Sequence, residues 1–265
     1  MLIKMLRKDI LVAYSYKLSF FSQFIFTFFQ IILIYLVSDF IGVIGTDYEK
    51  DLNYFQYVIF GICFIDVMIT ITTYCPREVL NYKLTGIFEE IISININKVY
   101  TTVVGMGFYS IFLSLIKILI YIIVSSILLD DLIINLKYSF EFILTTSLLI
   151  FSFLMVSIIA SAYTIFLHRV GFIPTVFLLI SIILGNAYFP NTYVPDYLHF
   201  LSYLTTFTPG IDNLRMIQLD SFIMFDFYWN IILMIILNII YFILGYILIN
   251  KSMRQSKKNG SLLQY

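Results

Sequence analysis

Charged residues are scarce in this chain: Asp, Glu, Lys and Arg make up 12% of its 265 residues, whereas soluble domains approach a quarter. Proline occurs only 5 times, tryptophan once, and cysteine and histidine 2 times each. Hydrophobic residues reach 61% instead, which excludes the class of water-soluble globular proteins. No stretch of the sequence is polar enough to form a separate soluble domain.

Motifs for catalysis and nucleotide binding are missing as well. The sequence contains no H-E-x-x-H, no G-x-S-x-G and no cysteine and histidine spacing suited to a metal. It also has no Gly-Lys pair, which the phosphate-binding loop of a P-loop ATPase requires. We therefore predict no catalytic residues, no metal site and no ATP bound by this chain itself. Cys63 and Cys75 fall in one apolar run, where a helix keeps them from pairing.

Six long apolar runs dominate the sequence, and each can cover about 30 Å of hydrocarbon as a helix. They are 18–41, 54–75, 101–128, 140–165, 170–187 and 228–250. We therefore predict an all-α integral membrane protein with six transmembrane helices, forming a single transmembrane domain over residues 1–265.

The segments that connect these runs on one side of the membrane carry most of the basic residues. Placing both termini in the cytoplasm leaves only Lys50, Lys137 and Arg215 in outer segments, as the positive-inside rule requires. The prediction is therefore a multi-pass protein with both termini inside and a basic cytoplasmic tail at 251–265. The inner basic residues are Lys4, Arg7, Lys8, Lys17, Arg77, Lys83, Lys98, Arg169, Lys251, Arg254, Lys257 and Lys258.

The N-terminal segment has the pattern of an amphipathic helix over residues 1–17. One helical face is apolar and another is basic, which is typical of a helix lying in the inner membrane interface. The alternative is a solvated basic leader. The apolar face carries Ile3, Leu6, Ile10 and Ala13, and the basic face carries Lys4, Arg7 and Lys8.

Two ionisable residues lie deep within the runs, and their depths match. Asp66 and Lys117 are each about twelve residues from the outer ends of antiparallel spans, or roughly 18 Å below the outer boundary. A buried charge is costly unless it is paired, so we predict an intramembrane polar pair. The pair is either a structural pin between helices, part of a proton or sodium relay, or a polar gate on a substrate path.

The inner segment between the second and third runs has a second amphipathic pattern. Leu84, Ile87, Phe88 and Ile91 recur at helical spacing, with charged residues off that stripe. We predict a short surface helix near 80–93. Its charges are either ordinary solvated charges or contacts for a cytoplasmic partner.

Proline residues interrupt the outer segment 186–227 before the last run. Pro190 and Pro195 break the span. Apolar residues follow, so we predict a hairpin that re-enters the outer leaflet; the alternative is a loop lying flat on the membrane. The apolar residues are Tyr197, Leu198, Leu201, Tyr203 and Leu204.

Two motifs together resemble the permease subunits of ABC-2 type transporters. The inner segment has an Arg-Glu pair at 77–78, then Gly86, Glu89 and Ser93, although Ile94 stands where the family has proline. The outer segment has Phe-Pro at 189–190 and a closing Pro-containing stretch that ends in Leu-Arg at 214–215. The resemblance runs through the whole chain in order.

The resemblance implies a partner that supplies the energy. Two P-loop ATPase subunits would bind ATP and Mg²⁺ beneath two permease copies, which form a homodimer or a pair with a homologue, among membrane lipids and without nucleic acid. Glu89 and Glu90 would contact basic residues of the ATPase. The resemblance places ATPase coupling at Arg77, Glu78, Lys83, Gly86, Phe88, Glu89 and Glu90, and an outer gate at Phe189, Pro190, Pro195, Tyr197, Pro209 and Arg215.

The cargo implied by this resemblance is lipophilic or amphipathic: a drug, a lipid, a peptide or a lipid-linked glycan, exported across the plasma membrane. An aromatic content of 18% with few membrane charges agrees with that class of cargo. The alternative is an ion-coupled secondary transporter that uses Asp66 and Lys117.

Overall fold

The computed structural model describes residues 2–41, 43–44, 52–94, 97–129, 136–167, 169–190, 195, 198–202, 204–219 and 223–258. These residues are almost entirely helical, apart from one 3-10 turn (Leu136–Tyr138) and a short antiparallel pair of strands, β1 (Val43–Ile44) and β2 (Leu52–Asn53). The α-helices are α1 (Leu2–Ser15), α2 (Lys17–Ile41), α3 (Tyr54–Leu84), α4 (Ile87–Ile94), α5 (Asn97–Leu129), α6 (Ser139–Leu167), α7 (Phe172–Leu184), α8 (His199–Ser202), α9 (Phe207–Gln218) and α10 (Met224–Lys258).

Five of the described helices, α2, α3, α5, α6 and α10, are long and apolar enough to cross a membrane. The prediction of an all-α integral membrane protein is therefore confirmed. The fifth predicted run behaves differently, because it is helical only over the 13 residues of α7. Such a helix is about 20 Å long, which is shorter than the hydrocarbon core that a span must cross.

The second long helix continues past the end of its predicted run, through Pro76 to Leu84. Proline lacks the N–H that would bond to the carbonyl of Thr72, four residues earlier. The Ser157 hydroxyl of α6 lies 3.4 Å from that carbonyl oxygen and donates to it instead. Residues 80–84 thus belong to α3, and the surface helix predicted near 80–93 is α4, which begins at Ile87.

Helix α3 lies at the centre of the bundle and packs against α5 and α6, while α10 packs along α6. Small residues such as Ala160, Ser161 and Ala162 are buried on α6, as expected where membrane helices approach closely. Asn238 links α10 to α6, because its side-chain oxygen accepts a hydrogen bond from the Ser152 hydroxyl at 2.7 Å. The long apolar side chains of α2 and α10 remain exposed on the outside of the bundle.

The N-terminal amphipathic pattern forms α1, which ends at Ser15 and is followed at once by α2. Helix α1 packs against α5 and contacts α2. It is therefore joined to the inner ends of two long helices.

We predict that Gly61→Ala destabilises the fold. A Cβ at Gly61 would lie 2.5 Å from the carbonyl oxygen and 2.7 Å from the Cα of Ala187, which are backbone atoms that cannot move alone. Overpacking of this kind costs roughly 1–3 kcal/mol. The measurement is the apparent unfolding temperature in mild detergent.

Gly107→Ala is the matched control, also within a long helix. Its Cβ would meet the end of the Leu154 side chain, which can shift to another rotamer. We expect a smaller loss of thermal stability than for Gly61→Ala. Equal losses in the two variants would contradict this account of the contact at Ala187.

Candidate functional site

The Asp66 and Lys117 side chains form a salt bridge inside the bundle. Lys117 Nζ lies 2.7 Å from Asp66 Oδ1, and the two side chains are 7% and 12% exposed, respectively. The ammonium also donates to Thr70 Oγ1 at 2.9 Å. The structure thus brings together the two residues that the sequence places at matching depths. Whether they act as a structural pin, a relay or a gate remains a prediction.

The second carboxylate oxygen of Asp66 is also bonded. Thr27 of α2 donates its hydroxyl to Asp66 Oδ2 at 3.0 Å. Thr27 was not among the predicted site residues, although a polar residue at mid-depth in a Phe-rich run is a signal that the sequence carries. Helices α2, α3 and α5 are therefore tied together by one polar cluster at one depth.

The inner segment turns at Gly86, whose φ of +75° lies in the left-handed region that favours glycine. Helix α4 follows directly and contacts the inner parts of α3 and α5. Phe88 is buried at 2% exposure, whereas Glu90 is exposed. The side chain of Glu89 lies outside the described residues. Helix α4 therefore presents one face to the bundle and another to its surroundings.

Lys83 connects this segment to α6. Its ammonium donates to the carbonyl oxygen of Ile165 at 2.5 Å and lies 5.9 Å from the centre of the Phe88 ring. Ile165 is in the last turn of α6, where carbonyl groups lack partners within the helix. The Lys83 side chain thus joins the inner ends of α3 and α6 next to α4.

Glu78 faces the N-terminal helix. Its Oε2 lies 3.7 Å from Lys8 Nζ, and the same ammonium donates to the Tyr82 hydroxyl at 2.7 Å. Burial lowers the pKa of Lys8, but the bond to Tyr82 and the nearby Asp9 outweigh it, so the pKa is raised overall. Lys8 is therefore a cation that links α1 to α3. Arg77, by contrast, is exposed.

Arg215, predicted as part of an outer gate, is buried at 1% exposure. Its guanidinium stacks on the Tyr57 ring at 3.7 Å and donates to the Tyr57 carbonyl oxygen at 3.2 Å. It also donates to the carbonyl oxygens of Asn186 and Ala187. One side chain thus joins α9, the start of α3 and the segment after α7.

Asn186 holds the same segment through its side chain. It accepts from the Tyr57 hydroxyl at 2.5 Å and donates to Asp212 Oδ1 at 2.7 Å. Its φ of +56° turns the chain after α7, a conformation that asparagine tolerates better than most residues. The sequence analysis did not assign Asn186 to the site, although the Gly-Asn pair at 185–186 is a turn signal.

The remaining outer gate residues do not share one environment. Pro190 and Pro209 are buried, whereas Phe189 and Pro195 are exposed. Tyr197 lies outside the described residues. Re-entry of this segment into the outer leaflet remains a prediction.

Polar side chains hold the described helices together at several depths of the bundle. Within the described ranges, no three His, Cys, Asp or Glu side chains come together as a metal site would require. Such polar contacts lie at the inner end, at mid-depth and at the outer end of one helical bundle. A bundle of several apolar helices that are long enough to cross a membrane defines the class of multi-pass membrane proteins.

The chain belongs to the ABC-2 type transporter family, whose model matches residues 2–219. The resemblance inferred from the sequence is confirmed, and the chain is a permease subunit of an ABC-type transporter. Membership of this family implies in general a partner subunit that carries the ATPase. A comparison with curated proteins gives no match.

We predict that Lys117→Met destabilises the protein by about 3–5 kcal/mol, because it leaves the Asp66 carboxylate buried without its cation. The double variant Asp66→Asn with Lys117→Met is expected to recover most of that loss. The measurement is thermal unfolding of all variants in the same detergent. If the double variant is as unstable as Lys117→Met alone, the ion pair does not explain the stability of this site.

Proposed function

We propose that this chain is the membrane-spanning subunit of an ATP-driven exporter. Two permease copies, identical or homologous, meet around the translocation path, and each copy rests on one P-loop ATPase subunit. ATP and Mg²⁺ bind to the ATPase subunits. The complex lies in the cytoplasmic membrane with both termini of the permease inside, an orientation supported by the distribution of basic residues.

The observation that carries this proposal is the attachment of α4 to the inner ends of the bundle. Helix α4 contacts α3 and α5, and buried Phe88 lies beside Lys83, which bonds to the end of α6. A force applied to α4 therefore reaches α3 and α5 through direct contacts, and it reaches α6 through the Lys83 side chain of α3. This geometry is suited to a coupling helix that sits in a cleft of the ATPase.

Closure of the ATPase subunits around ATP would move α4 and, with it, the inner ends of both permease copies. Nucleotide need only favour one arrangement of the pair by a few kcal/mol to reverse its access. The outer segment that Arg215 holds against α3 would then open or close the exit. The cargo that best suits this apolar, aromatic bundle is a lipophilic or amphipathic molecule.

We predict that Glu90→Lys weakens binding of the ATPase subunit by about tenfold or more, because reversing a charge at an interface opposes complementary basic residues. The test is co-purification of the tagged permease from its host in mild detergent, with the ATPase subunit quantified by mass spectrometry and its activity assayed.

The matched control is Asp226→Lys, which makes the same charge reversal at an exposed position at the other end of the bundle. We expect normal recovery of the ATPase subunit with this variant. Equal recovery with Glu90→Lys would place the coupling contact elsewhere. A permease that purifies without any ATPase, where other transporter complexes survive, would instead favour the ion-coupled alternative based on Asp66 and Lys117.

A further inference from the structure

A cavity of about 360 Å³ lies between α1 and the inner parts of α2, α3 and α5. We call it the α1 cavity. It is separate from α4 and from the outer segment, and it shares Lys8 and Glu78 with the contact between α1 and α3 described above. Its lining includes Asp9, Glu78, Tyr74, Tyr109, Phe20 and Leu113.

The α1 cavity lies near the inner boundary of the membrane. Tyr74 follows Asp66 by eight residues on α3, and Tyr109 precedes Lys117 by eight residues on the antiparallel α5, so both rings lie about 12 Å to the inner side of the ion pair. Their ring centres are 5.3 Å apart. An occupant would therefore sit at the level of the lipid head groups and the first carbons of their chains.

One end of the cavity is acidic. Asp9 is buried, and the Lys8 side chain lies against both carboxylates, with its Nζ 3.2 Å from Asp9 Oδ1 and 3.7 Å from Glu78 Oε2. Two carboxylates and one ammonium leave this end with a net charge of −1. At low dielectric such a charge attracts a cation and repels an anion.

The walls of the cavity favour an organic cation over a metal ion. Tyr74 and Tyr109 offer aromatic rings beside the carboxylates, a combination that binds ammonium groups through cation–π contacts. A hard metal ion would need several more oxygen ligands than two carboxylates provide. Phe20 and Leu113 line the cavity with apolar surface, which suits an alkyl chain.

We propose that the α1 cavity binds amphiphiles with a protonated amine or quaternary ammonium head, drawn from the inner leaflet. The head lies among Asp9, Glu78 and the two tyrosines, and the alkyl chain lies along Phe20 and Leu113. Such amphiphiles are then a class of cargo for this permease. The cargo role rests on the proposed function, whereas the binding site does not.

The test uses the full-length permease, purified without an ATPase in dodecyl maltoside. The probe is dodecyltrimethylammonium with a photoreactive diazirine in its alkyl chain, and labelled peptides are identified by mass spectrometry. We expect labelling around α1, the start of α2, and the segments near Tyr74 and Tyr109. Unlabelled dodecyltrimethylammonium should protect these peptides at a concentration about tenfold lower than dodecyl sulfate.

Variants test the role of the acidic end. Glu78→Gln should raise the concentration needed for half-protection by about fivefold or more, and Tyr109→Leu should do the same by removing a ring. Asp226→Asn is the matched control, because it neutralises an exposed carboxylate on α10 away from the cavity, and it should leave the concentration needed for half-protection unchanged. The wild-type protein alone can also overturn the proposal. It would do so if labelling fell outside the cavity, or if the cationic and anionic amphiphiles protected equally.

Tetramethylammonium distinguishes a membrane source from a cytosolic one. If it protects as well as dodecyltrimethylammonium, the cavity binds only the head group and the proposal of a membrane amphiphile is wrong. We expect it to protect at least tenfold less well. Because no ATPase is present in this assay, failure of the coupling proposal would leave its result unchanged.

Discussion

One buried polar cluster, the ion pair between Asp66 and Lys117 together with Thr27, joins three of the long helices. Each charge would be costly within a bilayer, and each is satisfied only by partners on other turns or other helices. Thr27 bonds to one carboxylate oxygen, while Lys117 bonds to the other and to Thr70. The cluster favours one relative depth of these helices, because a shift of one turn in α3 or α5 would separate the two charges, and a shift in α2 would remove the Thr27 hydroxyl from the carboxylate.

The polar contacts at the outer end of the bundle are arranged differently from those at the inner end. At the outer end, Arg215 and Asn186 bind backbone carbonyls and side chains of α3 and α9, which makes a densely bonded cluster. At the inner end, individual lysine side chains connect the helices. Lys83 of α3 bonds to α6, and Lys8 of α1 bonds to α3. Helix α4 follows a glycine turn, contacts α3 and α5, and buries Phe88 against the bundle.

Much of this architecture was predictable, because the signals were local. Apolar runs of sufficient length gave the long helices, and matched depth identified the Asp66 and Lys117 pair. Other features depended on distant residues. Helix α3 passes through Pro76 because Ser157, some eighty residues away, donates to the carbonyl that proline leaves free. Arg215 was assigned to the outer segment by the predicted topology and to the outer gate by the family resemblance, but neither indicated its burial, which relies on the carbonyl oxygens at the turn of Asn186. The α1 cavity arises from the packing of four helices, and no single segment carries a pattern for it.

In the proposed mechanism energy enters through α4, and the ion pair between Asp66 and Lys117 only holds helices together. The most direct test is the activity of the reconstituted permease and ATPase complex that carries Asp66→Asn with Lys117→Met, at a temperature where the variant is fully folded. The account predicts ATP hydrolysis and ATP-driven transport close to wild-type rates, with no response when proton and sodium gradients are dissipated. A folded complex that loses transport, or a wild-type protein whose transport follows an ion gradient without ATP, would contradict it.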